Sequence, residues 1–112
     1  MKIAVASEGK TIAQHFGYCQ NFNIYHIEEG EVTKVESVEN PGHKPGFLPQ
    51  FLHDMGVGVI VSGGMGARAV EIFNENGIEV VIGISGNSAS AVESYLAGEL
   101  ESTGTICDHH SS

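Results

Sequence analysis

Val59-Ile60-Val61-Ser62-Gly63-Gly64-Met65-Gly66-Ala67-Arg68-Ala69-Val70 joins an apolar run to a knot of glycines and then to helical spacing. This is the pattern of a buried strand, a tight turn and a helix. The first N–H groups of a helix have no internal partner, and the helix dipole adds positive potential there. Glycines let another group come close to the backbone. Such an end is suited to holding an anion. Val80-Val81-Ile82-Gly83-Ile84-Ser85-Gly86-Asn87-Ser88-Ala89 repeats the pattern. Two helix N-termini are therefore expected on one side of one sheet.

Outward from these two units, the rest of the chain divides readily. Lys2–Ala6 is a short apolar strand, followed by a polar loop over 7–21. Phe22–Glu28 alternates, Glu29-Gly30 is a hairpin signal, and Glu31–Glu39 is the return strand. Residues 40–46 are a Gly/Pro loop. Phe47, Leu48, Phe51, Leu52 and Met55 follow helical spacing up to Gly56. Val57–Ser62 and Glu79–Gly83 are strands. Ala69, Val70 and Phe73 mark a second helix, and Ala89, Val92, Tyr95 and Leu96 a third, capped by Asn87 or Ser88. The expected order is β-β-β-α-β-α-β-α: one α/β domain over residues 1–100 with a five-stranded mixed sheet, and a flexible tail over 101–112. In that order the 7–21 loop, the 40–46 loop and both glycine turns emerge at one sheet edge, where open α/β sheets bind ligands.

Composition narrows the function. The chain has 112 residues, 41% apolar, with a net charge of −9 and five basic residues. Nucleic acid and anionic membranes are excluded as partners, because both require clustered Lys and Arg. No stretch is apolar for long enough to span a bilayer. Met1-Lys2-Ile3-Ala4-Val5-Ala6 turns polar at Ser7 and reads as a strand rather than a signal peptide. Two cysteines, Cys19 and Cys107, make no disulfide framework, so a cytoplasmic location is expected.

Taken in order, His15-Phe16-Gly17, Phe22-x-Ile24-Tyr25, Gly63-Gly64-Met65-Gly66, Gly77-Ile78-x-Val80 and the closing glycine turn resemble the dinitrogenase iron–molybdenum cofactor biosynthesis family. That group includes NifX-type carriers, NafY-type proteins and the C-terminal domain of NifB, and the resemblance covers roughly residues 1–100. It implies a ribonuclease H-like α/β/α fold. It also implies non-enzymatic binding of an anionic iron–molybdenum or related metal–sulfur cluster in an anaerobe, with cluster-assembly or acceptor proteins as partners. Family members often carry Arg after His-Phe-Gly; here Tyr18 and Cys19 follow, which removes a charge and adds a thiol.

His15 is the first candidate contact, since neutral imidazole is a common metal ligand. Cys19 is either a soft ligand for iron or a small buried filler. His43 is a contact that the family pattern implies or a solvated loop histidine. Arg68 would balance an anion's charge; as a cation in a first helical turn it otherwise opposes the dipole. Backbone N–H groups near Gly17, Gly64, Gly66, Gly86 and Ser88 complete the proposed cradle. His26 and His53 are expected to be structural or solvent-facing. Cys107-Asp108-His109-His110 is too compact and terminal for a closed zinc site.

Two other chemistries are set aside. Gly64-Met65-Gly66-Ala67-Arg68-Ala69 matches G-x-G-x-x-A, but the next strand ends Val80-Val81-Ile82-Gly83 without the acid that NAD needs, so no nucleotide is expected. Strands 2–6 and 57–61 carry no Asp for a two-metal nuclease. The expected function is a small non-catalytic carrier of a metal–sulfur cluster. The alternatives are a regulatory or interaction domain that senses a small anion or docks on a partner, and an enzyme acting on an anionic substrate.

Overall fold

The structure, a computed structural model, describes residues 1–42 and 47–100. Ile3, Val5, Ala4 and Ala6 are all fully buried, because β1 (Lys2–Glu8) lies at the centre of a mixed sheet with both faces covered. β1 turns back through Gly9, at φ +69°, into a two-residue strand β2 (Thr11–Ile12). A single 3-10 turn spans Phe16–Tyr18. β3 (Asn21–Glu28) and β4 (Glu31–Glu39) form a hairpin. Its two loop residues, Glu29 and Gly30, both have positive φ (54° and 77°). That is the geometry a tight two-residue hairpin requires.

Then follow α1 (Phe47–Asp54), β5 (Val57–Val61), α2 (Ala67–Glu75), β6 (Glu79–Val81) and α3 (Ser88–Leu96). The sheet order is β4-β3-β1-β5-β6, with β2 paired to β1. β1 is antiparallel to β3 and parallel to β5, and β5 is parallel to β6. The C-terminal ends of β1, β4, β5 and β6 therefore share one edge.

The strand count corrects the sequence expectation: among the described residues the sheet has six strands, not five. β2 lies inside the segment read as loop, and its pairing with β1 rather than its own pattern makes it a strand. The two faces carry separate cores. Leu48, Leu52 and Phe73 of α1 and α2 pack with Ala4, Ala6, Phe22, Ile24 and Ile60. Ala91 and Val92 of α3 pack on the other face with Ile3, Val5, Tyr25, Val59 and Val61. Among the described residues no helix is long and apolar enough to cross a membrane.

Candidate functional site

The edge at the strand C-termini is crossed by residues 10–16, which are stitched to both glycine turns. Toward the second turn, the Ile12 N–H donates to the Gly86 carbonyl at 2.8 Å, and the Ser88 N–H donates to the Lys10 carbonyl at 2.9 Å. Toward the first turn, Gly63 and Gly64 donate to the carbonyls of Ala13 and Gln14 at 3.0 and 2.6 Å. Phe16 returns a bond to the Gly64 carbonyl at 2.9 Å, and His15 pairs with Gly64 as an isolated parallel bridge. Gly63 makes this approach possible: a Cβ there would lie 2.7 Å from the Ala13 carbonyl oxygen.

This stitching explains the His15-Phe16-Gly17 order. Phe16 is buried and meets Phe22 and Phe73 at ring distances of 5.8 and 5.3 Å. It anchors the segment and leaves His15 exposed one residue earlier, beside the Gly64 turn. The His15 imidazole makes no hydrogen bond among the described residues. Met65 plays the matching role in the turn: its side chain is 1% exposed and fixes the turn to the α1–α2 core.

The two helix N-termini differ. α2 starts from Gly66, which supplies no side-chain cap, and its first turn has no acidic residue. The N–H groups of Ala67, Arg68 and Ala69 have no partner among the described residues. Arg68 is exposed and makes no ion pair among those residues. α3 is closed. The Asn87 side chain accepts the Ser90 N–H at 3.0 Å, and the Ser88 N–H is taken by Lys10. The Ser88 hydroxyl is buried against Asn23 and Tyr25, at 3.1 and 2.7 Å. Of the two positions expected from sequence to face a ligand here, the Ser88 N–H and hydroxyl and the Gly86 carbonyl are engaged by the chain's own groups. Asn87, with φ −78° and ψ 132°, is the cap, which settles the choice between Asn87 and Ser88.

Cys19 is 4% exposed within the α1–α2 core. Asn40 donates to its carbonyl and to its Sγ at 2.9 and 3.7 Å. Burial pushes the thiol up to about 11. The side chain fills a gap in this core. Gly17 is half-buried in the 3-10 turn. His26 sits at the opposite end of the sheet, opposite Lys2, and meets Glu36 at 3.1 Å. That contact lowers the Glu36 carboxyl below its usual range. His53 is exposed beside Asp54. His43 and Cys107–His110 lie outside the described residues.

Two features escaped sequence reasoning. Asn21 and Asn23, both buried, bond to Gly9, Ser7, Ser37 and Ser88 and hold the β1–β2 turn and the start of α3 to the sheet. Their signal was two amides on one face of a strand that is otherwise apolar there. A cavity of about 360 Å³ beside His15 is lined by Glu8, Thr11, Ile12, Gln14 and Tyr18. The Glu8 carboxylate makes that side unfavourable for an anion and leaves the Gly64–Arg68 side. Among the described residues no three His, Cys, Asp or Glu side chains are grouped to hold a metal ion. The site can offer one imidazole, one guanidinium and a row of backbone N–H groups.

Comparison with known proteins gives the chain's relatives. A protein of Methanocaldococcus jannaschii, the uncharacterized MJ0580, is 31% identical over 106 residues, which is 90% of each chain. The crystal structure of PH0822 is 34% identical with a TM-score of 0.85, covering 92% of this chain and 95% of that one. The apo orange protein of Desulfovibrio gigas, 24% identical over 92% of each chain, shares the fold with a TM-score of 0.78. The sequence profile of the dinitrogenase iron–molybdenum cofactor family matches residues 1–98, and the chain belongs to that family.

Proposed function

We propose that this protein is a non-catalytic carrier that holds an anionic iron–molybdenum or related metal–sulfur cluster at the open N-terminus of α2. One observation supports the reading: His15, exposed, pairs by its backbone with Gly64, two residues before the uncapped start of α2 that carries Arg68. An imidazole ligates a soft or borderline metal, and N–H groups with a guanidinium meet sulfide and oxo edges. The fit is one of few protein bonds. A carrier with few bonds can release its cargo to an assembly or acceptor protein. Family membership supports an association with the iron–molybdenum cofactor.

A second reading has its own support. The lack of a three-ligand metal group among the described residues suits a domain that senses a small anion without metal. Anaerobic titration followed by visible absorption separates the two. With tetrathiomolybdate or isolated cluster, the carrier reading expects retention through desalting, and weaker retention in His15→Ala and Arg68→Ala. Retention unchanged in both variants, or displacement by ATP or phosphate, defeats it. Displacement by phosphate would favour the anion sensor.

A further inference from the structure

β4 is nine residues long and lies at one end of the sheet, with a neighbour on one side only among the described residues. Its outer row of N–H and C=O groups is a template for another strand. Two apolar side chains stand out on it: Val35 is 51% exposed and Val32 38%. We propose that this edge docks a second copy of the chain, antiparallel, about a two-fold axis through Val35.

The register follows from the residues. A two-fold axis normal to the sheet keeps like faces together, so only residues of the same face can stand opposite one another. Centred on Val35, the middle of the strand, Lys34-Val35-Glu36, is self-complementary. Lys34 meets Glu36 of the second copy, and Glu36 meets its Lys34. Val35 meets itself; beyond Lys34 the Thr33 bulge puts Val32 on the face of Val35, out of register with Val38. Axes through Lys34 or Glu36 would put like charges face to face at the centre, which is destabilising.

Lys34 and Glu36 already lie 3.8 Å apart within one chain. The second copy turns them into an alternating cluster of four charges. The ladder is short. Val32 pairs with Ile27 and Lys34 with His26, so Thr33 forms a bulge that bends the strand before Lys34. The net charge of −9 per chain also opposes association. That repulsion is screened beyond a Debye length of ~8 Å at physiological salt, while the central pairs act at contact. The expected dimer is weak and concentration-dependent. It leaves the His15–Gly64 edge free, so it stands or falls separately from cluster binding.

Sedimentation velocity under reducing conditions, over a rising concentration series, tests the proposal. The wild-type chain should self-associate. Lys34→Glu and Glu36→Lys should each weaken association by ~10-fold or more, because each change acts twice across the axis. The double swap Lys34→Glu/Glu36→Lys should restore it, and Val35→Lys should abolish it. Recovery in the double swap rules out a folding defect as the cause of loss in the single variants. A wild-type chain that stays monomeric throughout overturns the proposal. So do single variants that associate like the parent, or a double swap as weak as the singles.

Discussion

The chain builds the same unit twice, strand to glycine turn to helix, and the two copies end differently. At the first, the helix starts from Gly66 without a side-chain cap, and the N–H groups of Ala67, Arg68 and Ala69 have no partner among the described residues. At the second, Asn87 caps the helix, Lys10 takes the Ser88 N–H, and Asn23 and Tyr25 take its hydroxyl. One segment, residues 10–16, makes the difference. It plugs the second helix with its backbone and presents His15 at the first. With Gly66 as its N-cap, the first helix gives up only a few tenths of a kcal/mol relative to an Asn cap. The two ends thus differ in capping, one through Gly66 and the other through the Asn87 side chain.

Substitutions can break this contrast, and the largest effect belongs to the glycine that lets the segment approach. Gly63→Ala should destabilise by about 3 kcal/mol, because its Cβ would meet the Ala13 carbonyl oxygen at 2.7 Å, against backbone that cannot yield easily. Gly66→Ala, with open space around it and φ −69°, should stay within about 0.5 kcal/mol. Urea unfolding of both variants checks the pair. Equal costs would mean that the stitching does not hold the edge.

Cys19 gives the next effect, in the pH dependence of stability. Its thiol is raised to about 11 in the folded chain from 9.0. A raised pKa favours the folded state below the unfolded value, and the advantage is lost as pH climbs through the folded one. Stability should hold up to about pH 9 and then fall by ~2 kcal/mol toward pH 11. Cys19→Ala should flatten that window when the two unfolding profiles are subtracted. An unchanged slope would mean that the thiol is not shielded as described. Smaller still, Asn87→Ala should cost about 1 kcal/mol by removing the α3 cap, with cluster retention unaltered. Thermal unfolding alongside retention reads both.

Much of this was legible in the residues. The Glu29-Gly30 hairpin, β4 and the three helices follow from periodicity and turn chemistry, both of them short-range. The shared edge followed from strand directions alone. β2 was not legible, because only Ile12 marks it and its pairing to β1 is tertiary. Nor was the closing of α3: Asn87 is a cap by type, but the group that takes the Ser88 N–H is Lys10, far back in the chain. Cys19 carries two readings from sequence, and its burial beside Asn40 fits the core filler. Phe16 was part of a motif without a stated role, and its packing on Phe22 and Phe73 supplies one.

Amide mapping tests the central claim most directly. Uniformly ¹⁵N-labelled protein would be titrated anaerobically with tetrathiomolybdate, a diamagnetic stand-in for the cargo, and its backbone N–H resonances followed. Shifts should gather at His15, Gly64 and Met65–Ala69, while Ser88–Ser90 stay in place. Shifts centred on Gly86–Ser90, or none at the start of α2, would contradict the assignment of one open and one closed helix end.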